Sequence, residues 1–130
     1  MNECVDYTEL MTRFRRAYAK ADRGLLQEVL GAGFEWHTHT FDPTAPAPTG
    51  RVLRGLDEML DELQRRKDEW VDVRFDGLVE HFAPRLVTQS FTISGLDGGT
   101  PFAAAAVDLY TLDDDELIVK KDTYWKYAAP

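Results

Sequence analysis

The sequence predicts an α+β domain in which three N-terminal helices pack on a curved, mostly antiparallel β-sheet, forming a cone with a central pocket. Three observations predict it. Helical spacing of apolar residues dominates as far as residue 69, interrupted by one alternating stretch. From residue 70 onward the spacing becomes two. Turn-forming pairs divide that second half into four strands of a meander.

Each element has a local cause. Tyr7, Leu10, Met11, Phe14 and Tyr18 recur at helical spacing and predict a first helix ending near Ala21. Asp22 has the acceptor side chain of an N-cap. A second helix, Arg23 to Leu30, carries Leu25, Leu26, Val29 and Leu30 and is expected to stop at Gly31 and Gly33. FEWHTHTF, residues 34–41, alternates and predicts a strand. DPTAPAPTG, residues 42–50, predicts a stiff loop that covers the hollow as a flap. Residues 55–69 predict a third helix with Leu56, Met59, Leu60 and Leu63 on one stripe. Strands follow at WVDVRFDGLVEHF, RLVTQSFTIS, FAAAAVDLYTL and ELIVKKDTYWKY, with turns at 83–85, GLDGG and LDDDE. The run Ala103 to Ala106 either borders the hollow or lets helices pack closely.

The chain of 130 residues suits one domain, 1–130. Its 44% hydrophobic and 12% aromatic content fits a folded core. A net charge of −8 and a pI near 4.8 argue against nucleic acid, which needs a cationic surface. RFRR and QRRK read as solvated helix faces. No apolar run approaches a membrane span, and MNECVDYTEL lacks a basic region followed by an apolar block, so a cytoplasmic location is expected. One cysteine, Cys4, excludes an internal disulfide and a cysteine-cage zinc site.

Several stretches resemble the nuclear transport factor 2-like superfamily, and within it the SnoaL-like bacterial proteins. FRRAYAKAD is similar to that family's opening helix and aspartate-capped turn, and EWH to the tryptophan–histidine pair of its first strand. RGLDEM resembles the entry to its third helix, and DLYTLDDDELIVKKDTYW its last hairpin. The resemblance covers nearly the whole chain. It implies a cystatin-like α+β cone with a deep pocket, commonly a homodimer across the sheet. It does not imply one activity, since isomerases, cyclases, dehydratases, epoxide hydrolases and transport adaptors share the fold. The epoxide-hydrolase branch needs an Arg and an Asp two apart on a middle strand, and VTQSFTI has neither. Tyr18, Asp108 and Asp122 match the residue types of ketosteroid isomerases, but no motif maps them onto those roles.

Glu35, His37 and His39 share one face of their strand, and Phe34, Trp36 and Thr38 the other. Three roles compete for the histidines: a metal row lacking a third ligand from another strand, an acid–base group in a dry hollow, or a structural outer face. Hydrophobicity puts Trp36 inside, whereas the family likeness brings His37 to the cavity. On the last strand Lys121, Thr123, Trp125 and Tyr127 form the more apolar face. If the other face looks inward, Asp122 partners His37. Asp108 and Tyr110 share a face with Phe102, Ala104 and Ala106.

The expected function is a cofactor-independent acid–base enzyme of isomerase, cyclase or dehydratase type, acting on a small apolar or aromatic carbonyl compound. The alternatives are a non-catalytic binder of such a molecule and a dimeric interaction module. Catalytic candidates are His37, Asp122 and Asp108. Ligand-binding candidates are Trp36, His39, Phe75, Phe102, Tyr110, Lys121 and Trp125. No metal or cofactor is assigned, and a homodimer is expected.

Overall fold

A computed structural model describes residues 5–40 and 49–127. The elements run α1 (Thr8–Lys20), α2 (Arg23–Val29), β1 (Leu30–Thr40), β2 (Thr49–Arg54), α3 (Gly55–Glu69), β3 (Trp70–Ala83), β4 (Leu86–Asp97), β5 (Thr100–Leu112) and β6 (Ile118–Tyr127). The fold is α+β, with a six-stranded sheet in the order β2-β1-β6-β5-β4-β3. Among the described residues only the β1–β6 pair is parallel. No helix of the described residues is long and apolar enough to cross a membrane.

The connections explain that order. β1 and β2 are antiparallel neighbours at one edge. Helix α3 then carries the chain to β3 at the opposite edge. The meander β3–β6 returns strand by strand until β6 lies beside β1. The expectation that all three helices are N-terminal is therefore corrected: α3 follows two strands, because a crossover is needed to reach the far edge.

Helix α1 buries Met11, Phe14 and Ala17, and α3 buries Met59 and Leu63, against Phe34, Trp36, Val87, Tyr110 and Ile118 of the sheet. The Tyr7 hydroxyl joins this core to the β3–β4 turn by accepting from Arg85 N at 3.0 Å. A smaller cluster joins Ile93, Ala104 and Ala106 to Trp70, Phe91, Phe102 and Trp125. The alanine run thus alternates: Ala104 and Ala106 are buried, while Ala103 and Ala105 are exposed.

Asp22 caps α2 as its residue type requires, accepting from Leu25 N at 3.0 Å. The glycines after α2 do not stop it. Leu30 is already extended, and both glycines lie within β1. A Cβ on Gly31 would come within 2.7 Å of Asp113 Oδ2 and Val119 Cγ1, and Gly33 has φ +74°. They serve a close approach to β6 and an irregularity in pairing between Leu30 and Glu35. Most of the 42–50 loop lies outside the described residues; its last two residues, Thr49 and Gly50, belong to the unexpected strand β2.

Glu62 on α3 is only 4% exposed and draws three arginines together. Arg66 Nε donates to it at 2.7 Å, Arg65 at 3.0 and 3.1 Å, and Arg51 at 3.2 Å. Burial alone would raise its pKa, but the hydrogen bonds and charges of Arg65 and Arg66 outweigh that and lower it to about 2.

A folded value below the ordinary 4.5 means that this stabilisation is complete above pH 4.5 and fades as pH falls toward 2. Glu62→Gln is expected to cost roughly 2–3 kcal/mol at pH 7, with the gap to wild type closing in acid. Urea unfolding across that range checks this; a gap that does not change with pH would contradict it. Asp22→Ala should cost about 1 kcal/mol in the same assay.

Candidate functional site

Strand register settles which faces look inward. In the parallel pair Trp36 lies beside Lys121, and His37 beside Asp122. Trp36 is fully buried against the helices, so its partner Lys121 also faces them. His37, His39 and Asp122 consequently occupy the outer face. The placement of His37 in the hollow is corrected: alternation cannot turn both Trp36 and His37 toward the helices. Asp122 does not pair with His37 either. Its Oδ1 lies 2.8 Å from His39 Nε2, while His37 Nε2 lies 3.3 Å from Glu35.

Between the sheet and helices α1 and α3 is a cleft of about 680 Å³. Helix α1 contributes Phe14, Arg15 and Tyr18, and α3 contributes Leu63 and Arg66. The strands contribute Trp70, Phe75, Gln89, Phe91, Asp108, Tyr110, Lys121, Thr123 and Trp125. Five of the candidates named above therefore line it: Phe75, Asp108, Tyr110, Lys121 and Trp125. Trp36 lies beneath them, its indole donating to Thr123 Oγ1 at 2.9 Å. Phe102 stacks on Trp125 at 5.8 Å between ring centroids and is not part of the lining.

Two cations share the Trp36 ring. Arg66 lies 4.8 Å from its centroid and 4.6 Å from that of Trp70. Lys121 Nζ lies 4.2 Å from the centroids of both Trp36 and Tyr18. Aromatic faces attract each cation electrostatically. The two differ in their counter-ions. Arg66 is bound by Glu62 and also donates to the Tyr18 hydroxyl at 3.0 Å. Lys121 is 4% exposed and forms no ion pair among the described residues.

Asp108 is the opposite case. It is 5% exposed; Tyr110 donates to its Oδ2 at a long 3.4 Å, and its buried Oδ1 has no hydrogen-bond partner among the described residues. Burial, and then the Asp108 charge, push the Tyr110 hydroxyl well above its usual pKa, keeping it a neutral donor. The Trp70 indole nitrogen is likewise buried without a partner. The cleft thus has apolar walls, one unsatisfied carboxylate oxygen, one unsatisfied N–H and one ammonium without a carboxylate. Such groups are costly unless water or a ligand meets them.

Arg66, Trp70, Tyr18 and Gln89 also line the cleft and were not among the sequence candidates. A signal for the first two existed. Met59, Leu63, Arg66 and Trp70 continue one helical stripe, which sets Arg66 apart from its neighbours in QRRK. A second hollow, about 590 Å³, lies between α2, β1 and the start of α3. Its charged groups Glu35 and Arg54 neutralise each other at 3.2 Å.

No family model matches the chain, and no curated protein sequence is significantly similar to it. Solved structures do resemble it. A nuclear transport factor 2-like protein from Burkholderia xenovorans LB400 superposes with a TM-score of 0.73 at 18% identity, covering 91% of this chain and 87% of that one. A protein with a ketosteroid isomerase-like fold from Catenulispora acidiphila DSM 44928, in complex with trimethylamine, gives 0.69 at 19% identity over 92% and 86%. A protein from Jannaschia sp. CCS1 described as a SnoaL-like polyketide cyclase gives 0.64 at 12% identity over 97% and 92%. Helix order, the open curved sheet and these superpositions agree: the chain has the nuclear transport factor 2-like fold, the cystatin-like α+β arrangement shared with SnoaL-like and ketosteroid isomerase-like proteins.

Proposed function

We propose that this protein is a cofactor-independent enzyme that moves a proton on a small aromatic or apolar carbonyl compound in the cleft between the sheet and α1 and α3. The observation that carries the reading is the unpartnered Asp108 Oδ1 in a cleft that also holds the unpaired Lys121 ammonium. Asp108 would take a proton from the carbon next to the carbonyl. The C–H electron pair would move into the carbon–carbon bond and the carbonyl pair onto oxygen, where Lys121 meets the developing charge. In a substrate with a C=C next to the acidic carbon, return of the proton from Asp108 to the far end of the dienolate gives isomerisation; attack of the enolate carbon on a second carbonyl, whose oxygen takes the proton back from Asp108, gives cyclisation. Tyr110 orients the carboxylate, and the aromatic walls limit water. His37 has no part in this scheme.

Ligand charge follows from the same groups. The Catenulispora protein is in complex with trimethylamine. Here Arg66 and Lys121 already occupy the aromatic faces around Trp36, so a neutral carbonyl or an anion fits better than another cation. The expected homodimer fits the outer sheet face, where Val79, Val107 and Tyr124 are exposed in one row across four strands, with Ser90 of β4 between the two valines. Sedimentation velocity tests it, and a monomer at all concentrations would remove it.

The chemistry is tested by proton NMR in D2O with a panel of small aromatic ketones and 1,3-dicarbonyls. Wild-type protein should exchange hydrogen next to the carbonyl in at least one. Asp108→Asn should slow this by about 100-fold or more with the fold kept, and His37→Ala should leave it unchanged. Retention of a compound without exchange would make the protein a binder. Exchange that survives Asp108→Asn would remove the assigned base. Lys121→Met is expected to weaken binding of a carboxylate-bearing ligand at least tenfold by calorimetry, and an unchanged affinity would contradict its anchoring role.

A further inference from the structure

On the sheet face away from the cleft, His37, His39 and Asp122 bring three ligand-type atoms within 4.8 Å of one another. We propose that they form a binding site for a divalent transition-metal ion, with Zn2+ the best match. The third ligand that the His-x-His pattern lacks comes from β6, because the parallel register sets Asp122 beside His37.

The chemistry of the set selects the ion. Two imidazoles and one carboxylate suit Zn2+ and its first-row neighbours, whereas Mg2+ and Ca2+ prefer oxygen alone. A tetrahedral Zn2+ with bonds of about 2.0 Å holds its ligand atoms about 3.3 Å apart. His39 Nε2 and Asp122 Oδ1 are already 2.8 Å apart. That pair opens slightly on a metal, and rotation of the His37 ring closes the remaining gap, which is at most 4.8 Å.

The surroundings favour this role over a plain hydrogen bond. The His39 ring is stacked flat on Tyr124, 4.3 Å between centroids and 5° from parallel, which fixes its plane. Glu35, 3.3 Å from His37 Nε2, is placed to orient that ring or to add an oxygen. Lys120 lies 3.6 Å from Asp122 Oδ2, is 43% exposed and can swing into solvent when a cation arrives. With three protein ligands, the fourth position is left to water or an outside group. The site shares no residue with the cleft, so its fate and that of the proposed enzyme activity are independent.

The test is calorimetric titration of the full chain, first stripped with chelator, with ZnCl2 alone, alongside its thermal unfolding. The expected result is one Zn2+ per chain and a higher unfolding temperature. His39→Ala and His37→Gln, with circular dichroism confirming the fold, should each weaken binding at least about tenfold, while His81→Ala leaves it unchanged. Co2+ in place of Zn2+ should give visible absorption bands of a four- or five-coordinate site that His37→Gln removes. Absence of binding by the wild-type chain would overturn the proposal. So would Zn2+ affinity that survives both histidine variants or disappears with His81→Ala.

Discussion

The parallel pairing of β1 with β6 is the constraint on which the rest of the molecule depends. Neighbouring strands show the same face at paired positions, so the fully buried Trp36 obliges Lys121 to face the helices and leaves His37 and Asp122 together on the other side. One register therefore creates both polar sites. A slip of one residue would turn the tryptophan outward and bury the histidines, at the cost of the largest side chain in the core.

Inside the cleft, placement of charge follows from what can be neutralised. The Arg66 guanidinium is flat and can lie against tryptophan faces while its edge meets Glu62. That makes α3 part of the site as well as a crossover. Lys121 has no such carboxylate and is stabilised by aromatic faces alone among the described residues. Asp108, which lines the same cleft, keeps an oxygen unsatisfied. The cleft therefore keeps a buried acceptor and a buried ammonium incompletely matched among the described residues.

Elements that declare themselves locally were legible in the sequence. The stripe of Met11, Phe14 and Tyr18, the cap at Asp22 and the turns of the β3–β6 meander depend on neighbours in the chain, and the structure contains all of them. What the sequence concealed depends on distant partners. Strand β2 is six residues long and follows a proline-rich stretch, so nothing local marks it. Gly31 looked like part of a helix stop because its reason, the side chains of Asp113 and Val119, lies more than eighty residues away in sequence, and Gly33 because its positive φ belongs to an irregular strand rather than to a helix end. Alternation in β1 divided Trp36 from His37 correctly, but it could not say which was inside. A parallel neighbour with no connecting turn decided that. For the same reason Asp122 is expected from the sequence to partner His37 in the hollow, whereas the structure sets it against His39 on the outer face.

The β1–β6 pair also bears on how the chain acquires its shape. Its partners, such as Trp36 and Lys121, stand at nearly opposite ends of the sequence. The antiparallel meander can form through successive hairpins, each closing a short loop. The union of β1 with β6 requires closure of a loop containing most of the chain, and its entropic cost is met only when the Trp36 face is buried. On the ribosome, the first strand emerges long before its neighbour exists. During that interval α1, α2 and β1 present an apolar surface with an unpaired strand edge. The pairing that creates both polar sites thus makes the nascent chain wait for its last strand.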